Sequence, residues 1–241
     1  MSLLTIISDA ARELSQPVPT AIVAATGPTA LLLLRCAKAE GKSLASRHTW
    51  QALMTEKTFT SVATAAQTSS IPSDFDRLVP DSMFNRTTRR RVHGPVNSAE
   101  WQSIQASLVT RVNPAFRIRL GTIYITPTPA ADDTVAYEYI STKWCQTSDG
   151  VTAQTNWAAD TDIPRIGIDQ TITEEVMTLG VIWRFRRTLR VDVEADRESY
   201  ERAVVDLIMR DGSRPRLTSD PVFTERVPRA PQVPDTLVGL S

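Results

Sequence analysis

Cysteine, histidine and lysine are scarce in this chain of 241 residues. The two cysteines, Cys36 and Cys145, match no spacing that binds a metal or forms a redox pair. The two histidines, His48 and His93, have no cysteine, aspartate or second histidine at the spacing of a zinc site. We therefore expect no metal, no cofactor, and a reduced, intracellular compartment.

Long apolar runs are also missing from the sequence. A run of the greatest length, Ala30–Leu34, is far shorter than the roughly 20 residues that a helix needs to span a bilayer. The first residues carry no basic segment, and Asp9 interrupts their short apolar stretch, so they do not read as a secretory signal. The sequence predicts a protein with no membrane partner.

The motifs of common catalytic sites are absent as well. The chain contains neither type of glycine-rich phosphate loop and no G-x-S-x-G nucleophile elbow. Asp160, Asp162 and Asp169 do not follow the pattern of a calcium-binding loop. Glu174 and Glu175 are adjacent, and adjacent residues on a helix do not face each other, so they make a poor acid–base pair. We predict that the protein is not an enzyme.

Charge is balanced, because Lys plus Arg and Asp plus Glu both total 27. No global attraction to nucleic acid or membrane follows from that balance. Arginine greatly outnumbers lysine, which occurs at only four positions: Lys38, Lys42, Lys57 and Lys143. Arginine forms forked bonds to carboxylates and phosphates and is enriched at protein interfaces. The bias indicates either interface chemistry or the base composition of a GC-rich genome.

Apolar residues recur at helical spacing near both ends of the chain. Near the start, this spacing predicts helices over Leu3–Leu14 and Thr29–Arg47, the second with a solvent-facing side that includes Glu40. Near the other end, Thr171 and Glu174 form a capping box that begins another helix pair. We expect each pair to form an αα-hairpin.

The middle of the chain alternates apolar and polar residues with the period of β-strands. Strands are predicted over Thr55–Val62 and Val135–Tyr139, and the runs Phe116–Leu120 and Ile123–Ile125 predict a tight hairpin around Gly121. After the last helix, five prolines punctuate the remaining residues, which predicts an extended tail.

These patterns together predict an α+β fold. Helix pairs from the N- and C-terminal parts form a helical bundle, a β-rich antiparallel insertion lies between them, and an extended tail follows. We expect a discontinuous helical domain of residues 1–50 and 171–212, a β-rich insertion domain of residues 51–170, and a proline-rich tail of residues 213–241.

The strongest local charge feature is a basic, extended stretch with four arginines: Arg86, Arg89, Arg90 and Arg91. One interpretation places it against DNA phosphates or an acidic partner. The other is a solvated edge strand that its charges protect from aggregation. A second arginine group, which includes Arg184 and Arg187, lies in the last turns of a predicted helix, where cations favour the helix dipole.

Several segments follow one another in a specific order after the opening helix. They are Pro17–Pro19, Arg47–Leu53, Ile71–Leu78, Phe116–Arg119, Ile125–Pro129, Tyr137–Ser141 and Met177–Phe185. This order resembles the head-to-tail adaptor proteins of short-tailed phages, also called tail tubular protein A or tail accessory proteins. The resemblance covers roughly residues 1–212. The C-terminal tail that follows is longer and richer in proline than is expected for that family.

The resemblance implies a homo-oligomeric, twelve-fold ring docked beneath the portal protein, joined to the tail nozzle or tube protein and continuous with the DNA channel. Genomic DNA would pass through the ring during ejection without sequence-specific contacts. The expected location is the neck of the virion, after assembly in the bacterial host cytoplasm. Six arginines are then candidate contacts with channel DNA or neighbouring subunits: Arg86, Arg89, Arg90, Arg91, Arg184 and Arg187.

The tail is expected to dock on the portal or a neighbouring subunit through apolar residues among its prolines: Val222, Phe223, Val227, Leu237 and Val238. Two functions of other classes stay open beside the connector. One is a DNA-binding packaging or regulatory factor that uses the Arg86–Arg91 stretch. The other is a tail-associated hydrolase with an unfamiliar site.

Overall fold

The computed structural model describes residues 2–107, 113–167 and 169–212. The α-helices in these ranges are α1 (Leu3–Glu13), α2 (Pro28–Arg47), α3 (Ser98–Ala106), α4 (Gln170–Thr188) and α5 (Glu194–Arg210). The strands are β1 (Met54–Thr60), β2 (Ala66–Gln67), β3 (Phe75–Leu78), β4 (Phe84–Asn85), β5 (Arg90–Arg91), β6 (Ala115–Arg119), β7 (Thr122–Thr126), β8 (Thr134–Ser141), β9 (Cys145–Gln146), β10 (Ala153–Gln154) and β11 (Ile163–Pro164). No helix among the described residues is long and apolar enough to cross a membrane.

The strands form three antiparallel sheets. In the largest, β8 pairs with β1 along one side and with β3 and β4 along the other, and β4 also pairs with β5. The second sheet has the order β2-β7-β6, and the third has the order β10-β9-β11. The predicted α+β class with antiparallel strands is confirmed.

The predicted hairpin around Gly121 is confirmed as β6 and β7, which pair from Ala115 with Thr126 to Arg119 with Thr122. Leu120 and Gly121 form the turn, and both have positive φ angles, 49° and 71°. Two left-handed residues give the turn a twist that matches the twist of the flanking strands.

The helix ends depend on local chemistry. Pro28 begins α2 at the first turn, where its fixed φ angle suits the helix. The predicted capping box at Thr171 was wrong by two residues, because α4 is capped by Asp169, whose Oδ1 accepts hydrogen bonds from the backbone N–H groups of Thr171 and Ile172. Gly212, with a φ of 112°, follows the end of α5.

The first hydrophobic core lies among α1, α2, α4 and α5, and α4 contacts each of the other three helices. Trp144 and Trp157, which come from the segment between β8 and α4, also lie in this core and pack edge to face at 5.0 Å. Gly41 of α2 makes room for Trp144, because a Cβ there would lie 2.1 Å from the Trp144 ring. The segment therefore contributes to the helical core, and the division into domains stays a prediction.

The second core lies under the two larger sheets. Its buried residues include Phe59 of β1, Phe116 of β6, Ile123 of β7, and Val135 and Tyr137 of β8. Tyr137 keeps its hydroxyl satisfied inside this core by donating to the backbone carbonyl of Ser70 at 2.6 Å. Full burial of each large apolar side chain contributes about 1.5–3 kcal/mol, so this set supplies the β-rich region with a core of its own.

Candidate interaction surfaces

The basic stretch forms a hairpin, in which residues 86–89 make the turn between β4 and β5. The prediction of an extended stretch was therefore wrong for residues 86–89 and correct for Arg90 and Arg91. Asn85 explains the turn, because its Oδ1 accepts a hydrogen bond from the Thr88 N–H at 2.9 Å. Arg89 completes it with a left-handed φ of 56°. The arginines are held at the end of a hairpin on the central strand β8.

Arg86 and Arg91 of this hairpin form ion pairs with other residues of the chain. Arg86 Nη2 lies 2.7 Å from Glu56 Oε1 on β1, and Arg91 forms an ion pair with Asp81. Arg89 and Arg90 have exposed side chains. Part of the positive charge that the sequence displays is thus balanced by neighbouring carboxylates, so the hairpin is less cationic than its sequence indicates.

A surface cavity of about 570 Å³ lies beside this hairpin, over β1 and β8. It is lined by both signs of charge, including Glu56, Glu138 and Arg86. Glu56 and Glu138 are direct partners across the β1–β8 pair, an arrangement that places like charges face to face. The Arg86 guanidinium offsets that repulsion through its ion pair with Glu56.

The second predicted arginine group lies on α4 beside Trp183. The guanidinium of Arg184 lies 4.7 Å from the centre of the Trp183 ring, and that of Arg187 lies 5.8 Å from it. Both arginines line a cavity of about 280 Å³ between α2 and α4, together with Arg35. Arg187 also lines a second cavity, of about 380 Å³, with four other residues of α2, α4 and α5: Arg47, Trp183, Arg197 and Glu201. We call the surface formed by Arg184 and Arg187 around Trp183 the α4 arginine face.

A buried carboxylate forms an ion pair with Arg184 of the α4 arginine face. Glu40 of α2 is completely buried, accepts a hydrogen bond from Arg184 Nε at 2.6 Å, and accepts another from the Tyr200 hydroxyl at 2.5 Å. Burial and the adjacent Glu40 raise the pKa of Tyr200 well above its ordinary value. Arg184 is therefore held in place by an internal ion pair, whereas the exposed Arg187 extends outward.

A second ion pair ties the end of α2 to α5. Two guanidinium nitrogens of Arg47 donate to the two carboxylate oxygens of Glu201, at 2.7 and 2.9 Å. This hydrogen-bonded pair raises the pKa of Arg47 and lowers the pKa of Glu201. Arg47 also lies over the Tyr200 ring at 5.3 Å, so α2, α4 and α5 are joined through one polar network.

Glu40 was predicted to lie on a solvent-facing side of α2, and that prediction is wrong, because the residue is fully buried. Its burial depends on Gly180 of α4, where a Cβ would lie 2.4 Å from the Glu40 side chain. A glycine inside a helical pattern is a signal of close helix packing. Gly41 and Gly180 therefore indicate close packing. A glycine does not identify the element that packs against it.

The aspartates considered for calcium instead bind the backbone. Asp160 Oδ1 accepts hydrogen bonds from the N–H groups of Ile22 and Val23, and Asp162 Oδ2 accepts from those of residues 158 and 159. Asp169 caps α4. Within residues 2–107, 113–167 and 169–212, no group of three or more His, Cys, Asp or Glu is placed to hold a metal ion.

The predicted docking residues of the tail lie outside the described residues: Val222, Phe223, Val227, Leu237 and Val238. Comparison with known proteins adds no assignment. No protein-family model matches the chain, and no curated protein is significantly similar to it.

Proposed function

We propose that this protein is a structural head-to-tail connector subunit of a phage virion. In this role it forms a ring below the portal, joins the portal to the tail and continues the DNA channel. The class of function is inferred from the order of sequence segments, which resembles that of the phage adaptors. The proposal extends to the arrangement of the subunit, with the helices as the ring-forming bundle and the sheets as an insertion.

The observation that carries this proposal is the position of α4. This helix from the C-terminal half packs against α1 and α2 from the N-terminal half, while the two larger sheets between them have their own core. The resemblance implies a β-rich insertion, with a core of its own, between two helical segments that pack together. It supports a rigid body with a projecting β-rich region.

The charges fit a ring subunit that contacts its neighbours. Arg187 on the α4 arginine face and Arg89 at the β4–β5 turn are exposed, and arginine is favoured where one protein surface meets another. The ion pairs of Arg86 and Arg184 within the subunit reduce the charge available to hold DNA. Weak attraction suits a channel through which DNA must move.

Electron microscopy of particles assembled with and without this chain tests the proposal. We expect particles without the chain to lack attached tails and to lose packaged DNA. Complete, tailed particles that retain DNA in the absence of the chain contradict a connector function.

A DNA-binding packaging or regulatory factor is the second candidate, favoured by the four arginines on one hairpin. It predicts that the full chain shifts duplex DNA at low salt and that the affinity falls steeply with added salt. The substitutions Arg89→Ala and Arg90→Ala together should remove the shift, while Arg202→Ala on α5 should not. If the full chain gives no shift at low salt, this candidate is eliminated.

The tail completes the proposal. We expect residues 213–241 to dock on the portal or a neighbouring subunit through the five apolar residues named above. A chain truncated after Gly212 should fold, because it keeps every residue of the two described cores, and should join particles poorly. Normal incorporation of the truncated chain contradicts this role.

A further inference from the structure

Strand β1 is an edge of the largest sheet. It pairs with β8 along one side, and no other described strand pairs with it along the second side. An open edge of seven residues presents a row of unpaired backbone groups, and proteins usually cover such an edge. The second side of β1 is therefore a candidate site for an additional strand.

The hydrogen bonds of β8 identify the residues of β1 that face this open side. The Glu138 carbonyl accepts a hydrogen bond from the Val79 N–H, on the side of β8 away from β1. Glu138 pairs with Glu56, and opposed residues of an antiparallel pair either both face each other or both face away. Glu56 therefore directs its backbone N–H and C=O to the open side, and so do Thr58 and Thr60. These three residues are exposed, and their outward backbone groups bond to no described residue.

The sequence after Gly212 contains a stretch that suits a strand. Residues 222–227, which lie outside the described residues, contain no proline or glycine and are flanked by Pro221 and Pro228. Four of the six are β-branched or aromatic, the types that strands favour: Val222, Phe223, Thr224 and Val227. The flanking prolines cannot donate to a ladder, so they limit a strand to these six residues. We call residues 222–227 the tail segment.

The tail segment matches β1 when the two run antiparallel. In one register, each charged residue opposes a charge of the other sign, and two like pairs also oppose each other: Glu56 with Arg226, Lys57 with Glu225, Thr58 with Thr224 and Phe59 with Phe223. Such cross-strand pairs stabilise antiparallel sheets. Lys57 has no ion-pair partner among the described residues, so Glu225 would supply one. Phe59 belongs to the second core, which Phe223 would extend.

The residues after α5 begin close to β1. A Cβ on Gly212 would lie 3.4 Å from the Gln51 side chain, and Asp211 Oδ2 accepts the Gln51 N–H at 2.9 Å. From Gln51, the short 3₁₀ helix before β1 and the strand itself reach Thr60 over roughly 26 Å. The chain from Gly212 to Val222 spans up to roughly 33 Å when it is extended. The tail segment can therefore reach the far end of β1 and return along it.

We infer that the tail segment of the free subunit pairs with β1 of its own chain as an additional antiparallel strand. A short connection keeps the two at high local concentration, which favours this pairing over pairing with a second copy. Strand addition combines main-chain hydrogen bonds with side-chain pairs, and this register offers both. The contact concerns the subunit before assembly, so it does not depend on the connector function. In the particle, the docking of the tail proposed above replaces it.

Paired cysteines test the register. Thr55 and Val227 would oppose each other without hydrogen bonds, where the Cα atoms of an antiparallel pair lie about 4.5 Å apart, a separation that a disulfide spans. Oxidation of the full chain with Thr55→Cys and Val227→Cys should close a disulfide within one chain, detected by peptide mass spectrometry. The matched control is Thr55→Cys with Arg226→Cys, which should close at least about tenfold more slowly, because successive residues point to opposite faces. The native Cys36 and Cys145 are buried.

Hydrogen exchange tests the pairing without a cross-link. The Thr58 N–H should be protected in the full chain, although it does not face β8. Thr224→Pro removes the N–H that would face Thr58, so we expect exchange at Thr58 to accelerate at least about tenfold. Thr236→Pro lies outside the tail segment and is the matched control. It should leave the exchange rate of Thr58 unchanged.

Three results overturn the inference. They are a Thr58 N–H that exchanges as fast as in an unstructured peptide, cysteines at 55 and 227 that bridge no faster than the control pair, and a disulfide that joins two copies. The last result would assign the open side of β1 to the tail of another copy. None of the three bears on the connector function, which the particles lacking the chain test separately. Loss of the connector function would likewise leave the strand pairing intact.

Discussion

Glu40 shows how much of this fold depends on single polar side chains. Its carboxylate is fully buried, and Arg184 and Tyr200 replace the water that it loses on folding. A buried charge is tolerated only with such partners, so the three residues act as one unit. The helical period of the sequence locates Glu40 on α2 but does not reveal that α4 and α5 cover it.

Glu40→Ala should destabilise the protein by about 3 kcal/mol, because Arg184 loses the carboxylate that balances its charge. The expected result is a lower urea concentration at the midpoint of unfolding. Glu198→Ala is the matched control, because the exposed pair of Glu198 with Arg202 on α5 contributes little. A Glu40→Ala chain that unfolds at the wild-type urea concentration contradicts the role of this network.

Buried tyrosines should make the protein sensitive to alkali. Burial, with Asp74 beside it, raises the pKa of Tyr139 from 10.0 to about 12, and burial also raises the pKa of Tyr137 and Tyr200. The folded protein therefore holds these protons more tightly than the unfolded chain. The contribution of Tyr139 to stability is complete below pH 10 and is lost as the pH rises from 10 to about 12, and the contributions of Tyr137 and Tyr200 decline from pH 10 upward.

Urea unfolding at a series of pH values checks this sensitivity. We expect the midpoint to fall as the pH rises through that window, and the tyrosinate absorbance to increase with unfolding. Tyr139→Phe should lower stability at neutral pH, because the bond to Asp74 is lost, and should reduce the fall at high pH. A midpoint that is constant from pH 9 to pH 12 would refute the assignment.

At the scale of elements, the approach of α2 to α4 depends on Gly180. A Cβ at this position would lie within 2.4–2.7 Å of three Glu40 atoms, and Glu40 is held by its hydrogen bonds. Alanine is usually better than glycine inside a helix, by about 1 kcal/mol. The clash with Glu40 outweighs that preference, because the side chain has no room to move away.

Gly180→Ala should therefore destabilise the protein by about 1–3 kcal/mol, the cost of overpacking a filled core. Calorimetric Tm is the measurement. Gly27→Ala at the start of α2 is the control, because a Cβ there meets no atom within 4 Å, and its cost should be about 0.5 kcal/mol from the weaker cap. A stabilised Gly180→Ala chain contradicts the close packing of α2 on α4.

Elements whose signals are local could be predicted from the sequence. The β6–β7 hairpin was predicted correctly because alternation and Gly121 both lie within the segment itself. The β4–β5 hairpin was missed because its strands have two residues each and depend on pairing with the distant β8. The arginines were found by composition, but their partners Glu40, Glu56 and Asp81 lie elsewhere in the chain. Only the fold brings these charges together.

At the scale of the whole molecule, the described residues form two hydrophobic cores, one mainly among helices and the other mainly among strands. Helices from both halves of the chain build the first core, so neither half can form it alone. Exposed features of the described residues include the α4 arginine face and the β4–β5 hairpin. The connector proposal uses both of them as contacts with neighbouring copies.

A cryo-EM map of the neck of virions that contain this chain tests the central claim most directly. The connector proposal predicts a closed ring of identical copies between portal and tail, with density that fits α1, α2, α4 and α5 as the body of each copy. The ring should surround the DNA path. A map that places the chain away from the portal–tail junction, or virions that do not contain the chain, would contradict the proposal.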